Sequence, residues 1–340
     1  MIEPLHDDLM ARSTPVNKQV SKKMLVCGAG GFIGSHLVKS LKDQGHYVVG
    51  IDLKLPEFES SPADEFYQQD LRDQQIVREL ITSDIDTVYQ LAADMGGAGY
   101  VFTGDNDADI IYNSATINLN IVDAMKRAGV KNVFFTSSAC VYPQGNQQDT
   151  RNILITEQSA YPADPDSEYG WEKLFSERLY QAAAKNYGFR TRIARLHNVF
   201  GPLGTWQGGK EKAPAALCRK VLEAESEIEI WGNGSQARSF LYIDQCIDGI
   251  HRIQNSNHSV PINLGSERTI SINALALLIS NIAGKTLAIK NIPGPQGVVA
   301  RTSDNTLIQK LLDWQPLDYL EHGLTETYNW ISQQAKRNNK

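Results

Sequence analysis

Residues 23–41 read KMLVCGAGGFIGSHLVKSL, and this stretch decides the fold class. Its first residues lead as a strand into a glycine-rich turn, and residues 35–41 continue as a helix. Gly28, Gly31 and Gly34 have the G-x-x-G-x-x-G spacing. Glycines at these positions allow a tight turn, a close approach of the backbone to a pyrophosphate and close packing of helix on strand. The stretch therefore predicts a dinucleotide-binding unit.

An acidic residue at the end of the next strand indicates which dinucleotide is bound. That strand, His46 to Ile51, ends in Asp52, about twenty residues after the turn. A carboxylate there can accept hydrogen bonds from both ribose hydroxyls and would repel a 2′-phosphate, so NAD is favoured over NADP. Lys54 lies nearby and keeps NADP open, and Asp52 could also simply cap a turn.

Strand and helix patterns alternate from residue 22 to about residue 135, which predicts an α/β fold with a Rossmann-type, doubly wound parallel sheet. Strands are expected at Lys23–Cys27, His46–Asp52, Glu65–Gln69, Thr87–Leu91, Val133–Thr136 and Thr191–Arg195. Two long helical patterns cover Asn106 to Ala128 and Ser167 to Tyr187. These two helices can pair across a twofold axis, so a homodimer with a four-helix interface is expected.

A chain of 340 residues is longer than one hydrophobic core usually supports, which predicts more than one domain. Residues 1–21 are polar and aperiodic and are expected to form a mobile leader. Residues 22–200 are predicted to be an NAD-binding Rossmann domain, to which sheet and helix segments return from residues 236–265. Residues 201–340 are predicted to form mainly a smaller, mixed substrate-binding domain.

Charge and hydropathy exclude several classes of function. The net charge of −6 leaves no excess of basic residues for neutralising phosphates, so nucleic acid is not an expected partner. No apolar run reaches membrane-spanning length and no signal-peptide core is present, so the chain is interpreted as cytoplasmic, with no membrane partner. The four cysteines lack metal-ligand spacing, and no metal site is expected.

Two further stretches carry catalytic chemistry. Residues 136–143, TSSACVYP, follow a buried strand, and YGWEK opens a helix at Tyr169. Tyr169 and Lys173 share a helix face, so the ammonium can favour phenolate and lower the phenol pKa. The hydroxyl of Ser138 can hold the substrate oxygen whose proton moves. Each pattern alone also occurs in ordinary strands and helices, but their order after the nucleotide turn predicts removal of an alcohol proton together with hydride transfer.

The glycine turn, Ser138, Tyr169 and Lys173 together resemble the extended short-chain dehydrogenase/reductases of the nucleotide-sugar epimerase and dehydratase type. A narrower resemblance, over roughly residues 22–333, is to the GDP-mannose 3,5-epimerases. It rests on AADMGG at 92–97, SSACVYP at 137–143, RLHN at 195–198, GTW at 204–206, GGKEKAPAA at 208–216, GSQARSF at 234–240 and IPGP at 292–295. Ala98, Tyr100 and Trp171 depart from the family pattern.

The resemblance implies a reaction cycle with bound NAD. NAD oxidises C4 of the mannose ring while Tyr169 takes the hydroxyl proton and Lys173 lowers the pKa of that tyrosine. The resulting ketone acidifies the hydrogens on C3 and C5. By carry-over from the family, Cys140 is then the base and Lys212 the acid at these carbons. Hydride return leaves no net redox change, and the products are GDP-L-galactose and GDP-L-gulose.

The resemblance also implies two sets of binding residues. Asp70 and Leu71 follow the third strand, where a carboxylate can meet an adenine amino group, and the basic residues of the C-terminal part suit a diphosphate. The predicted cofactor-binding residues are Gly28, Gly31, Phe32, Ile33, Gly34, Asp52, Asp70, Leu71, Ala92, Tyr169 and Lys173. The predicted residues for GDP-mannose are Gly97, Ser138, Ala139, Cys140, Asn198, Glu211, Lys212, Ala213, Lys220, Gln236, Arg238 and Arg301.

Two alternatives stay open at this point. The nearer is another enzyme of the same superfamily, a UDP-sugar 4-epimerase or a 4,6-dehydratase, although neither has an evident need for a pair like Cys140 and Lys212. The other is a non-catalytic NAD-binding regulator with the same fold. Such proteins tend to lose the catalytic tyrosine or lysine, and both Tyr169 and Lys173 are present here.

Overall fold

A computed structural model describes residues 21–148, 155–294 and 298–338 of the chain. The predicted mobile leader therefore lies, except for Ser21, outside the described residues. Of the helices within these three ranges, none combines the length and the apolar character that crossing a bilayer requires.

Strands and helices alternate along the chain. The strands are β1 Lys23–Cys27, β2 Tyr47–Asp52, β3 Glu65–Gln68, β4 Thr87–Gln90, β5 Asn132–Ser138, β6 Arg190–Leu196, β7 Val199–Phe200, β8 Glu227–Trp231, β9 Ala237–Ser239, β10 Leu241–Tyr242, β11 Pro261–Leu264, β12 Thr269–Ser271, β13 Ala288–Ile292 and β14 Ala300–Arg301. The helices are α1 Phe32–Asp43, α2 Gln74–Leu80, α3 Ala98–Val101, α4 Asp107–Ala128, α5 Glu168–Tyr187, α6 Ala213–Glu223, α7 Ile243–Asn255, α8 Ile272–Ile282, α9 Thr306–Leu312 and α10 Leu320–Asn338.

The centre of the described chain is a seven-stranded sheet in the order β11-β6-β5-β4-β1-β2-β3. All of its strand pairs are parallel. Helices pack on both faces, as crossover connections between parallel strands require. The predicted Rossmann-type, doubly wound sheet is therefore confirmed, and the six strands expected from the sequence agree with the observed bounds to within two residues at either end.

Strand β1 shows why the sheet is buried on both faces. Met24 and Val26 belong to one hydrophobic core together with α1, α6, α7 and α8. Leu25 and Cys27 belong to a second core, which contains residues of α2 and α4. Successive side chains of a strand point to opposite faces, so a run of apolar residues without alternation is the pattern of a strand covered twice.

The residues after β6 form a less regular region. Strand β9 pairs with β12 and β14, β8 pairs with β13, and α6 packs against α8 and α10. Strand β11, in contrast, lies in the central sheet beside β6, and α7 packs against α1. The chain thus crosses between the two regions more than once, and the division at residue 200 stays a prediction. The carboxyl ends of β1, β4 and β5 face this less regular region.

Candidate active site

A cavity of about 970 Å³ lies at the carboxyl ends of the central strands. This is where open α/β sheets generally bind ligands. Every residue predicted from the sequence to bind cofactor or substrate lines it, from the glycine turn at one end to Arg301 at the other. The fold thus gathers residues that are up to about 270 positions apart in the chain, because loops after several parallel strands meet at one sheet edge. Their individual roles stay predictions.

The glycine turn joins β1 to α1 without room for side chains. Gly28 has a φ of +85°, and a Cβ there would lie 2.9 Å from the backbone nitrogen of Ala92. A Cβ on Gly34 would lie 2.0 Å from the carbonyl oxygen of Gly28. No side chain among the described residues caps α1 at Gly31, so the first N–H groups of the helix remain available to an anion. The turn therefore fits the pyrophosphate of a dinucleotide.

Asp52, at the end of β2, lies beside this turn. One of its carboxylate oxygens accepts a hydrogen bond from the backbone N–H of Gly30 at 3.0 Å, and the other accepts from Lys54 N–H at 3.2 Å. Burial raises the pKa of Asp52, and the two backbone donors oppose that shift. The carboxylate is thus fixed at the place where a ribose would lie next to the pyrophosphate.

Asp70 lies at the far edge of the cofactor end. It forms an ion pair with Arg72 at 2.7 Å, and Arg72 in turn donates to the amide oxygen of Asn113 at 2.7 Å. Hydrogen bonding from Arg72 lowers the pKa of Asp70. The carboxylate is therefore ionised at neutral pH and held by α4, in a position suited to an amino group of a base.

Tyr169 and Lys173 lie on one face of α5, as their spacing predicts. The ammonium of Lys173 is 5.6 Å from the centre of the Tyr169 ring and donates to the carbonyl oxygen of Thr136 at 3.1 Å. Burial raises the pKa of Tyr169 and lowers the pKa of Lys173. The expected lowering of the phenol pKa by Lys173 is therefore not what this arrangement shows, because removal from water disfavours both charged forms.

Ser138 lies at the end of β5, close to the beginning of α5. Its hydroxyl accepts a hydrogen bond from Cys140 N–H at 3.1 Å and caps the short 3₁₀ turn that follows. The same hydroxyl lowers the pKa of the Tyr169 phenol against the larger effect of burial. The serine, the tyrosine and the cysteine thus converge on one part of the cavity.

A buried ion pair fixes α5 against the central sheet. Glu177 of α5 binds Arg195 of β6 at 2.7 Å, and both side chains are almost fully buried. Glu177 also accepts a hydrogen bond from Ser137 of β5. A buried pair of this kind adds little net stability but is costly to break, because one unpaired charge would remain. It sets the position of α5, and hence of Tyr169, relative to the strand ends.

Cys140 is in direct contact with Arg301 in the wall of the cavity. Nη1 of Arg301 donates to the Cys140 sulfur at 3.3 Å. Burial nevertheless raises the pKa of the thiol, and the negative charge of Asp166 adds to this, while Arg301 and Ser138 lower it. The cationic Arg301 thus brings this cysteine only part of the way towards the thiolate, because burial has the larger effect.

Lys212 immediately precedes α6 and faces the same space. Burial lowers the pKa of its ammonium, and the charge of Cys140 raises it. The adjacent Glu211 is engaged within the protein, since it binds Arg219 at 3.1 Å and accepts a hydrogen bond from Gly209 N–H at 2.7 Å. Lys212 is therefore a cation close to a thiol, with a pKa shifted towards the range in which it can give up a proton.

The glycine loop after β4 docks on the segment that carries Lys212. Gly97 N–H donates to the carbonyl oxygen of Lys210 at 3.1 Å, and a Cβ on Gly97 would lie 2.5 Å from the carbonyl oxygen of Glu211. The Lys210 ammonium lies 3.8 Å from the centre of the Tyr100 ring. The Tyr100 hydroxyl donates to Asp94 at 2.9 Å. Two loops from different regions thus close this side of the cavity together.

The end of the cavity beyond Cys140 is cationic. Burial and the nearby Arg301 lower the pKa of Arg238 to about 10, which leaves it charged at neutral pH. Lys220 donates to the carbonyl oxygen of Glu229 at 2.7 Å. The side-chain oxygen of Gln236 is buried, and no donor among the described residues reaches it. A buried acceptor without a partner is costly unless a ligand satisfies it.

Comparison with known proteins agrees with this geometry. The model of the NAD dependent epimerase/dehydratase family matches residues 24–265. The chain is 43% identical to the GDP-mannose 3,5-epimerase of Arabidopsis thaliana over 317 residues, which are 93% of this chain and 83% of that protein. The chain belongs to the NAD dependent epimerase/dehydratase family.

Solved structures of the same kind support the assignment. The UDP-glucose 4-epimerase of Thermotoga maritima, solved with UDP-glucose, has a TM-score of 0.81 and 26% identity, covering 92% of this chain and 99% of that one. The UDP-glucuronic acid 4-epimerase of Bacillus cereus, in complex with UDP-glucuronic acid and NAD, has a TM-score of 0.76 and 27% identity, with the same coverage.

Family membership confirms three predictions. The resemblance to the GDP-mannose 3,5-epimerases holds over nearly the whole chain. The protein is an enzyme, an NAD-dependent epimerase of the isomerase class. Its cofactor is NAD, and the glycine turn and Asp52 are the residues whose geometry suits that cofactor.

Several residues in or next to the cavity were not predicted from the sequence. Arg72, Asp94 and Asn113 line the cofactor side and bind one another or their neighbours. Asp166 and Gln147 bind Arg301 behind the thiol. Asp166 directly precedes the helix cap Ser167, and an acidic residue at that position is usually read as a helix-start signal alone.

Proposed function

We propose that this enzyme is a GDP-mannose 3,5-epimerase, which converts GDP-D-mannose to GDP-L-galactose and, when only C5 is inverted, to GDP-L-gulose. The observation that carries the proposal is the pairing of Cys140 with Lys212 in the cavity that also holds Tyr169. An epimerase that acts at C4 alone needs only the tyrosine. A thiol and an ammonium in the same cavity provide a second acid–base pair for other carbons of the ring.

The tyrosine, lysine and serine act at the C4 hydroxyl. Tyr169 removes its proton, and Ser138, which lines the same cavity, holds the same oxygen. NAD held by the glycine turn and Asp52 would supply the oxidation of C4 and the return of the hydride, so the overall reaction would involve no net redox change. The Lys173 ammonium lies 5.6 Å from the centre of the Tyr169 ring, where its positive charge can favour the phenolate against the larger cost of burial.

The thiol and the ammonium act at C3 and C5. A ketone at C4 acidifies the hydrogens on both neighbouring carbons, since the carbanion is delocalised as an enolate. Cys140 takes the proton from one face of the ring, and Lys212 delivers a proton to the other face. Cys140 then holds an additional proton and Lys212 has lost one, so both must exchange protons with solvent before the next turnover. Protons from water therefore enter the product.

The cationic end of the cavity suits the GDP group. Arg238 and Lys220 carry positive charge that can neutralise a diphosphate, and guanidinium groups bind phosphate oxygens in a bidentate manner. The side-chain oxygen of Gln236 can accept a hydrogen bond from the ligand. These residues hold the nucleotide at one end while the sugar lies near Cys140 and Tyr169.

The experiment that tests this function uses the purified protein in deuterium oxide with GDP-mannose. We expect deuterium at C3 and C5 and new GDP-hexoses, observed by NMR spectroscopy and mass spectrometry. Inversion at C4 without deuterium at C3 or C5 would identify a 4-epimerase, and loss of water from the sugar would identify a dehydratase. No product from GDP-, UDP- or dTDP-sugars would favour the NAD-binding regulator.

We also propose that the enzyme is a homodimer in which α4 and α5 of each protomer form a four-helix interface. Tyr112 and Leu119 on α4 and Trp171 and Phe175 on α5 are exposed apolar side chains, with Tyr112 68% and Phe175 48% exposed. Several large apolar residues on neighbouring helices favour burial against a second copy. The cytoplasmic location stays a prediction.

Sedimentation velocity tests this assembly. The wild type should sediment as a dimer, and Phe175→Glu should shift it to a monomer, because a carboxylate would be buried without a partner. Leu317→Glu serves as the control, since this apolar side chain is 59% exposed but lies outside α4 and α5. A wild-type monomer, or an equal effect of both variants, would contradict the interface.

A further inference from the structure

Asp166 is a buried carboxylate for which the proposed reaction has no use so far. Its side chain is 1% exposed, and it lies just before α5, where its Oδ1 accepts a hydrogen bond from the Ser167 hydroxyl at 2.9 Å. Its Oδ2 accepts from Nη2 of Arg301, whose side chain is 7% exposed. Charged side chains are rarely buried to this extent unless they are paired, and these two are paired with each other.

Arg301 uses its planar guanidinium to contact three groups at once. Nε donates to the side-chain oxygen of Gln147 at 2.7 Å, Nη1 donates to the sulfur of Cys140 at 3.3 Å, and Nη2 binds Asp166. The five N–H groups of arginine have a rigid fork geometry. Because Gln147 and Asp166 hold two parts of the fork, the third is directed at the sulfur.

The beginning of α5 brings Asp166 and Cys140 together. A Cβ on Gly170 would lie 2.1 Å from the carbonyl oxygen of Cys140, so the helix start is in direct contact with the backbone of the cysteine. Ser167 caps the helix by accepting from Gly170 N–H at 3.2 Å. Tyr169 lies three residues after Asp166. One short segment thus sets the positions of the tyrosine and, through Arg301, of the thiol.

The two opposite charges next to the thiol, those of Asp166 and Arg301, offset each other. The ionisable groups that face Cys140 are Asp166, Arg301, Tyr169, Lys212 and Arg238. Asp166 compensates the charge of Arg301, so this guanidinium does not require a thiolate as its counterion. Asp166 accordingly raises the pKa of Cys140 and Arg301 lowers it. Removal of the carboxylate would leave the thiolate as the nearest anion available to Arg301.

We propose that Asp166 is a positioning residue that holds Arg301 against Cys140 and thereby fixes both the orientation and the resting protonation of the thiol. Its catalytic significance rests on the proposed function, in which Cys140 is the base. The contacts themselves do not depend on that function. In this proposal Arg301 orients the Cys140 thiol, in addition to its predicted role in binding GDP-mannose.

The test is the pH profile of Cys140 alkylation by iodoacetamide, measured without substrate and resolved from Cys27, Cys218 and Cys246 by peptide mass spectrometry. Asp166→Asn should lower the midpoint of this profile by about one pH unit, because a negative charge next to the thiol is removed. Asp166→Glu should return the midpoint towards the wild-type value, since it restores the charge. A wild-type profile in Asp166→Asn would overturn the proposal.

Two further variants keep the test decisive. Glu177→Gln removes the carboxylate of a different buried arginine pair, so it should lower the melting temperature but leave the Cys140 midpoint unchanged. An equal shift of the Cys140 midpoint in Glu177→Gln would show that any loss of a buried ion pair has this effect, and it would overturn the proposal. If Asp166→Asn does not fold, Arg301→Lys should raise the midpoint, because a lysine cannot donate to all three acceptors; an unchanged midpoint would contradict the role.

Activity separates this inference from the proposed function. With GDP-mannose, Asp166→Asn should lose about tenfold in deuterium exchange at C3 and C5, because Arg301 no longer orients the thiol towards the sugar, while C4 oxidation stays within about twofold of the wild type. A shifted thiol midpoint in a protein that never epimerises GDP-mannose would defeat the proposed function alone. An unshifted midpoint in an active epimerase would defeat the role of Asp166 alone.

Discussion

The two ends of the cavity are built in different ways. The cofactor end consists mainly of backbone, since the glycine turn leaves no space for side chains and Asp52 binds the N–H of Gly30. The sugar end consists of side chains, in which Cys140, Lys212 and Arg301 come from three distant segments and interact through charge and hydrogen bonds.

This difference predicts different responses to mutation. At the cofactor end a single added methyl group should be damaging, because it meets backbone atoms that cannot move away. At the sugar end a change of functional group should be damaging even when the size of the side chain is nearly kept. The variants below test this difference, beginning with the residue at which the two ends meet.

Tyr169→Phe should have the largest effect. Tyr169 is the acid–base group for C4, and the later steps at C3 and C5 need the ketone that it helps to form. Loss of its hydroxyl should therefore reduce turnover about a thousandfold. Reduced-nicotinamide absorbance and deuterium exchange at C3 and C5 should disappear together, because no ketone forms. Tyr161→Phe is the control, since Tyr161 is exposed and does not line the cavity. Exchange without C4 oxidation would refute the order of steps.

Cys140→Ser should separate proton exchange at C3 and C5 from the oxidation of C4. The hydroxyl is nearly the size of the thiol but a much weaker acid, so deuterium exchange at C3 and C5 should fall about a hundredfold while C4 oxidation by bound NAD persists. Transient nicotinamide reduction and product NMR would be measured on the same samples. Cys218→Ala, which changes a buried cysteine outside the cavity, should keep exchange within about twofold. Wild-type exchange in Cys140→Ser or Cys140→Ala would exclude this cysteine as the base.

Gly34→Ala should disrupt the glycine turn at the cofactor end by a clash with the backbone. The added Cβ would lie 2.0 Å from the Gly28 carbonyl oxygen, and the free energy of unfolding should fall by about 2 kcal/mol with weakened NAD retention. Gly145→Ala is the matched control, because a Cβ there meets no atom within 4 Å, and its unfolding free energy should change by less than about 0.5 kcal/mol. Chemical denaturation of both variants would measure the difference.

The same contrast explains how much of the structure could be predicted from the sequence. The strands Lys23–Cys27 and Tyr47–Asp52 are mainly apolar runs, and the glycine turn has a local spacing that fixes one conformation. The short strands Ala237–Ser239 and Ala300–Arg301 have too few residues to show a period, and pairing between them decides their structure. The fold class was therefore predictable, whereas the less regular region was not.

The candidate site divides in the same way. Asp52 follows a strand at a known distance from the turn, so local sequence was enough to predict its place. The catalytic role of Cys140 was predicted only through a family resemblance, and Lys212 and Arg301 were otherwise indicated only as members of a basic group, since nothing in their local sequence shows that the three meet. Asp166 and Gln147 were missed, because their partner Arg301 lies 135 and 154 residues further along the chain.

Tyr100→Phe should have the smallest effect and shows how far the sugar end tolerates change. The variant loses the hydrogen bond to Asp94 but keeps the ring on which the Lys210 ammonium lies. An exposed cation–π contact and one hydrogen bond each contribute about 1 kcal/mol, so Tyr100→Phe should raise KM about threefold and leave kcat unchanged, whereas Tyr100→Ala should raise KM by a further factor of about five. Steady-state kinetics with GDP-mannose would measure both. If Tyr100→Phe raised KM as much as Tyr100→Ala, the hydroxyl rather than the ring would hold the two loops together, and the position of Lys212 would depend on Asp94.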